Sequence, residues 1–220
     1  MKVGTDGVLL GAWAMACDGV RHAADLGAGS GVVSLLIAQR FPQLAVTAVE
    51  NDVDACEDCR ENFARSPWPE RLSAVCGNAL GFRPDVAHGL IVSNPPFFTE
   101  NLKSPDAARA SARHAGVLSP LSVLKIASEI LDRQGSVALI FPTALADEVI
   151  YHAEMLHLKE RRRLDVSTRE GRPAERTLLQ LSRIDGPPRR ARMAIRRPDG
   201  GYTEEYRVLV GEFYKYLPNN

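Results

Sequence analysis

From His22 to His157 short apolar runs alternate with amphipathic stretches, and that alternation constrains the fold more than any other feature of the chain. His22–Leu26, Leu44–Glu50, Arg71–Cys76, Leu90–Ser93 and Ser136–Phe141 read as strands; Val32–Arg40, Asp52–Arg65, Leu118–Asp132 and Ala144–His157 read as helices. Within Asp52–Arg65, the three- and four-residue spacing of Val53, Cys56, Cys59 and Phe63 predicts one buried face. Strand and helix in strict turn require parallel strands joined by crossover helices, which is an open, doubly wound, Rossmann-like α/β sheet.

After His157 the helices stop. Arg163–Thr168, Arg176–Arg183 and Arg190–Arg197 read as successive strands, expected to extend one edge of the mostly parallel sheet in antiparallel fashion. In the last of them Ala191, Met193 and Ile195 alternate with Arg192, Ala194 and Arg196, predicting one packed face and one basic face. Asp199-Gly200-Gly201 signals a turn, and Glu204–Tyr214 a closing helix. No second core is needed, so residues 1–220 are expected to form one domain with a basic extension from about 159.

The charge is unevenly placed. Basic and acidic residues number 27 each, yet the span from Lys159 to Arg197 holds thirteen of the former and five of the latter, a net +8 beside a body of −8. Such a region suggests a polyanion partner, although a solvated arginine-rich face has the same composition. Apolar residues at 45% and charged residues at 25% exclude a disordered chain. The longest apolar runs, such as Val137–Phe141, are far shorter than the roughly 20 residues that cross a bilayer. The start of the sequence lacks the apolar stretch of a secretory signal, so a cytoplasmic protein without membrane contact is expected. Four cysteines are too sparse for a disulfide framework. Cys56-x-x-Cys59 has neither a second cysteine pair nor a suitably spaced histidine to complete a zinc site, so both cysteines are expected to pack in the core.

Asp25-Leu26-Gly27-Ala28-Gly29-Ser30-Gly31 falls where the first strand turns into the first crossover helix. Glycines there admit a ligand close to the backbone, and the helix start offers unpaired N–H groups. Glu50, ending the second strand, is positioned to accept hydrogen bonds from ribose hydroxyls. A dinucleotide fingerprint would need a third small residue where this chain has Val32, which argues against NAD and FAD. Further on, the strand Leu90–Ser93 runs into Asn94-Pro95-Pro96-Phe97-Phe98. Two prolines stiffen the turn at the strand's C-terminal end, the edge where open α/β sheets bind ligands. The Asn94 side-chain oxygen and the Pro95 carbonyl can accept both hydrogens of an exocyclic amine. That favours the pyramidal nitrogen of a transition state over the delocalised ground state, with Phe97 stacked on the planar group.

Asn94-Pro95-Pro96-Phe97 resembles the signature of S-adenosylmethionine-dependent amino-methyltransferases acting on adenine N6, guanine N2 or glutamine N5. The opening Met1-Lys2-Val3-Gly4-Thr5-Asp6-Gly7-Val8-Leu9-Leu10-Gly11-Ala12-Trp13, the glycine loop, Glu50 with Asn62, Arg113-His114, and the ending from Gly201-Tyr202-Thr203 through Glu205-Tyr206 to Phe213-Tyr214 are together similar to the bacterial tRNA1(Val) (adenine(37)-N6)-methyltransferases. The resemblance implies methylation of the exocyclic N6 amine of adenine 37 in the anticodon loop, with S-adenosylmethionine as cofactor and tRNA as partner. It implies that Asn94, Pro95, Pro96 and Phe97 carry the chemistry, and that Thr5, Asp6, Asp25, Gly27, Gly29, Glu50, Asn51, Asn78, Ala79 and Asn94 hold the cofactor. Phe97 and Phe98 would receive the base, and Arg113, Arg189, Arg190, Arg192 and Arg196 would contact RNA. Many relatives have Asp at the Asn78 position; the amide oxygen is expected to accept from the cofactor's adenine amine in its place. Relatives also usually begin some residues ahead of the Met-Lys-Val-Gly-Thr-Asp segment, so an incomplete N-terminus is expected. Positioning supplies most of the acceleration in such a reaction, so no strong general base and no metal are expected; no obligate protein partner is evident in the sequence. A guanine-N2 or protein-glutamine methyltransferase remains open on the same motif, as does a catalytically silent RNA-binding module.

Overall fold

The computed structural model describes residues 4–96 and 117–215. Its elements, in chain order, are helix α1 (Thr5–Trp13), strand β1 (His22–Leu26), α2 (Val32–Arg40), β2 (Ala45–Glu50), α3 (Val53–Ala64), β3 (Leu72–Cys76) and β4 (His88–Ser93). Beyond the central gap come α4 (Pro120–Ile130), β5 (Leu131–Pro142), α5 (Ala146–Met155), β6 (Lys159–Arg169), β7 (Arg176–Ser182), β8 (Arg189–Arg196) and α6 (Glu204–Val210). The strands form one sheet in the order β3-β2-β1-β4-β5-β7-β6-β8. β1, β2, β3, β4 and β5 pair in parallel; β7 is antiparallel to both its neighbours, and β6 pairs in parallel with β8. The C-terminal extension thus lies on the β5 edge, and only β7 runs against the other strands.

Apolar residues cover both faces. Leu9, Ile37, Phe63 and Tyr206 of α1, α2, α3 and α6 pack on one side with Val46, Leu90, Ile140 and Leu178 of the strands. Val123, Leu124, Ile130, Val149 and Ala153 of α4 and α5 pack on the other with Ile91, Leu139 and Leu179. Burying each Val, Leu or Ile contributes roughly 1.5–3 kcal/mol, which is why Leu90–Val92 of β4 and Val137–Phe141 of β5 read as unbroken apolar runs. Local signals set the ends. Ser119 caps α4 in a reciprocal box with Ser122, with Pro120 at the first helical position. Asp52 accepts from the Ala55 N–H at 2.8 Å and starts α3.

Four expectations are corrected here. α4 stops at Ile130, and Leu131 already belongs to β5: the helix passes into the strand without a turn residue, which the sequence pattern had read as helix to Asp132. Val53 is 66% exposed, because it is the first residue of α3 and the packed stripe starts at Cys56. Cys56 is not a free packing thiol but is disulfide-bonded to Cys76 at the end of β3, whereas Cys59 is free and buried. In β8, Met193 is buried against the core beneath α6 and Ile195 is partly covered, while Ala191 is exposed, since β8 is the last strand. Among the described residues no helix is long and apolar enough to cross a membrane.

Candidate active site

β2, β1 and β4 are neighbours, and their C-terminal ends bring together Glu50, the glycine loop and Asn94 across two interstrand steps, about 10 Å. Gly27, Gly29 and Gly31 all have positive φ (73°, 56° and 84°), a conformation that side-chain-bearing residues rarely adopt. The Gly27 and Ala28 N–H groups donate to the Val49 carbonyl at 2.8 and 3.2 Å, so the loop turns back over β2. The Asn62 amide of α3 donates to the Ser30 carbonyl at 2.9 Å. The Ser93 hydroxyl donates to the Leu26 carbonyl at 2.6 Å, tying the end of β4 to that of β1. A Cβ at Gly31 would lie 2.6 Å from the Phe63 ring and 2.8 Å from the Cys59 sulfur. Glycine is therefore needed at this position for packing as well as for φ.

The cleft so formed has a volume of about 460 Å³. Of the residues expected at the cofactor, Asp25, Gly27, Gly29, Glu50, Asn51, Asn78, Ala79 and Asn94 line it, together with Pro96. Thr5 and Asp6 do not; their chain neighbours Gly4, just before α1, and Gly7, within it, do, and the Asp6 carboxylate instead pairs with Arg176 Nε at 2.8 Å. Asn94 is half-buried, Pro95 buried and Pro96 exposed. Phe97, Phe98 and Arg113 lie outside the described residues. The sequence reading missed Asp52, Val33 and Leu118, which also line the cleft, and Ser34, which orients Asp25. A hydroxyl in the first turn after the glycine loop was the available signal for Ser34.

Three carboxylates line this cleft, those of Asp25, Glu50 and Asp52, with no lysine or arginine among the described lining residues. That balance suits a cationic ligand and opposes a pyrophosphate. Glu50 is held on both oxygens, by the Gly29 N–H at 2.7 Å and the Asp52 N–H at 2.9 Å, which fixes its orientation at the end of β2. Asp25 is buried, accepting on one oxygen from the Ser34 N–H at 3.1 Å and the Ser34 hydroxyl at 2.8 Å. Burial raises its pKa to about 7, assisted by the Glu50 charge and opposed by the Ser34 hydrogen bonds. Burial, with Asp25 and Glu50 nearby, pushes the Cys59 thiol up to about 12 and keeps it inert. The Asn78 oxygen is not simply free for a ligand, as expected: it accepts the Leu80 N–H at 2.9 Å and caps the short turn Ala79–Gly81.

The basic residues separate. Arg190 is paired bidentately with Glu160 at 2.7 and 2.9 Å, and in the β-ladder it shares a row with Ser93. Arg189 lies one row lower, whereas Arg192 and Arg196 lie higher, on the Asn94 side. Arg196 donates to the Gly200 carbonyl at 2.7 Å and sits 4.4 Å over the Tyr202 ring.

An acidic nucleoside-sized cleft at the switch between β1 and β4 of a doubly wound sheet defines a class I methyltransferase, and the family model "Methyltransferase small domain" matches residues 7–141. A crystal structure of a predicted O-methyltransferase from Agrobacterium tumefaciens has the same fold, with a TM-score of 0.72 at 20% identity over 98% of this chain and 100% of that one. A glycopeptide N-methyltransferase complexed with (S)-adenosyl-L-methionine superposes with a TM-score of 0.55 at 12% identity, over 76% of this chain and 88% of its own. The tRNA1(Val) (adenine(37)-N6)-methyltransferase of Aeromonas hydrophila is 40% identical over 97% of this chain and 90% of its own length. Its Bacteroides thetaiotaomicron counterpart is 37% identical over 99% and 92%. The chain belongs to the tRNA1(Val) (adenine(37)-N6)-methyltransferase family.

Proposed function

We propose that this protein transfers a methyl group from S-adenosylmethionine to the exocyclic N6 of adenine 37 in the anticodon loop of tRNA1(Val), working as one domain in the cytoplasm, where that RNA is found. The observation that carries this reading is the convergence of Asn94 and Pro96 with Glu50 and Asp25 in one cleft that has no basic lining residue among the described residues. The cleft fits the cofactor by charge, by volume and by the backbone exposed at the glycine loop. Glu50 would hold the ribose hydroxyls, Asp25 the cationic amino-acid portion, and Asn51, Asn78 and Ala79 the adenine. When bound, S-adenosylmethionine supplies a methyl group already activated on a sulfonium sulfur.

The chain's own residues then have to position and desolvate the acceptor. The Asn94 amide oxygen and the Pro95 carbonyl would accept the two N6 hydrogens and aim the nitrogen lone pair into the cleft. The two prolines limit the backbone freedom of this corner, so the acceptors are oriented before substrate arrives. Unstacking an anticodon-loop base costs only a few kcal/mol, so flipping it to Asn94 is affordable. Mass spectrometry of nucleosides from unmodified tRNA incubated with the protein and cofactor tests the reading. N6-methyladenosine is expected; N2-methylguanosine, or methylation of a release-factor glutamine alone, refutes it. Asn94→Ala is expected to abolish turnover and leave tRNA affinity nearly unchanged.

A further inference from the structure

A second cavity, of about 600 Å³, lies beside the sheet's C-terminal edge on β6 and β8. Thr143, Arg163, Ser167, Arg172 and Arg192 line it, with the acids Asp165 and Glu170. Register places it. Phe141, Thr177, Asp165 and Arg192 form one row across β5, β7, β6 and β8, two residues beyond the row of Ser93. The pit is therefore level with the Asn94-Pro95 corner and three to four strand spacings away, roughly 14–19 Å, a distance that a few nucleotides of backbone span.

Its charges are sorted. Asp165 is engaged by Arg163 at 2.8 Å and by the Thr177 hydroxyl at 2.7 Å, which neutralises that pair. Arg172 and Arg192 are exposed and face only the Glu170 carboxylate as a charged lining group left over. Arg169 and Arg196, at the ends of β6 and β8, flank the same rim. Among the described residues no aromatic side chain lines the pit, so their side chains offer an anion two guanidinium groups and hydroxyls, and offer a base nothing to stack on. The turn that carries Arg172 leads directly into Arg176, which pairs with Asp6 of α1 beside the cofactor cleft.

We propose that this pit binds a backbone phosphate of the RNA near the target base, with Arg172 and Arg192 as the gripping cations and the Thr143 and Ser167 hydroxyls as added donors. This rests on the tRNA reading above and reassigns the RNA contacts from Arg189 and Arg190 to the turn between β6 and β7 and the middle of β8. The test uses the full chain, unmodified tRNA1(Val) and three double variants. Arg172→Ala with Arg192→Ala is expected to raise Kd and KM for tRNA about tenfold and to flatten the log–log salt dependence by roughly 1 to 2, with kcat and cofactor affinity kept. Arg172→Lys with Arg192→Lys is expected to restore the salt slope, which depends on charge, and only part of the affinity, which depends also on guanidinium geometry. Arg133→Ala with Lys159→Ala, which removes equal charge from the opposite edge of the sheet, is expected to change KM less than twofold. Unchanged KM and salt slope in the first variant, or an equal loss in the third, overturns the inference while leaving tRNA methylation by the wild type intact. Absence of any wild-type tRNA methylation overturns the functional reading and this inference with it.

Discussion

Replacing Asp25 with Asn removes a charge that the fold holds at a cost. The carboxyl is fully buried and its pKa is raised from 3.8 to about 7, so the folded protein binds this proton more tightly than the unfolded chain does. Below about pH 4 the group is neutral in both states and costs nothing. As pH rises the unfolded chain ionises first, so stability is lost progressively up to about pH 7 and the loss is complete above it. The separation between the two pKa values corresponds to about 4 kcal/mol. The amide oxygen of Asn can still accept from the Ser34 N–H and hydroxyl. Urea unfolding of wild type and variant at pH 4, 6 and 8 isolates the effect, because any packing change from the substitution is the same at every pH. The stability of Asp25→Asn relative to wild type is expected to climb by roughly 3–4 kcal/mol from pH 4 to pH 8. A cation bound beside Asp25 favours its ionised form. Cofactor affinity of the wild type should therefore rise up to about tenfold per pH unit below 7, and that of the variant should be flat and weaker. A pH-independent stability difference refutes the assignment of a buried, titrating carboxyl to the floor of the cleft.

Other substitutions probe the same frame. Gly31→Ala combines a φ of +84° with a Cβ pressed against Phe63 and Cys59, and is expected to cost roughly 3 kcal/mol, read as a fall in thermal midpoint of about 6–12 °C. Cys76→Ser opens a link between residues 20 apart and is expected to cost about 3 kcal/mol; reductant should lower the midpoint of the wild type but not of the variant. Asn78→Asp keeps the cap on Leu80 and adds a fourth carboxyl group to the cleft, so tighter cofactor binding by a few fold is expected in calorimetry, whereas Asn78→Ala should lose both the cap and affinity.

What could be read from the sequence was what repeats or what has a local mechanism. β1 and α2 lie where the apolar runs and the glycine loop put them, and Asp52 caps α3 as its position before an amphipathic stretch implies. The passage from α4 to β5 escaped because Ile130 and Leu131 satisfy a helical and an extended pattern equally, and their different fates follow from the parallel pairing of Leu131 with His88. Asn78 shows a local signal that was present and underweighted: an asparagine two residues before the N–H it caps favours a turn whatever ligand lies near. The contacts that decide the site's electrostatics are of another kind. Arg190 meets Glu160 from 30 residues away, Arg176 meets Asp6 from 170, and Cys56 meets Cys76 across the gap between α3 and β3. Each depends on which strands are neighbours and in what register, and no window along the chain contains that information. An excess of +8 could therefore be counted from composition. Sorting it into neutralised pairs and cations left for a ligand required the order β7-β6-β8, which makes the strands of Arg190 and Glu160 neighbours and raises Arg192 to the level of the Asn94 corner.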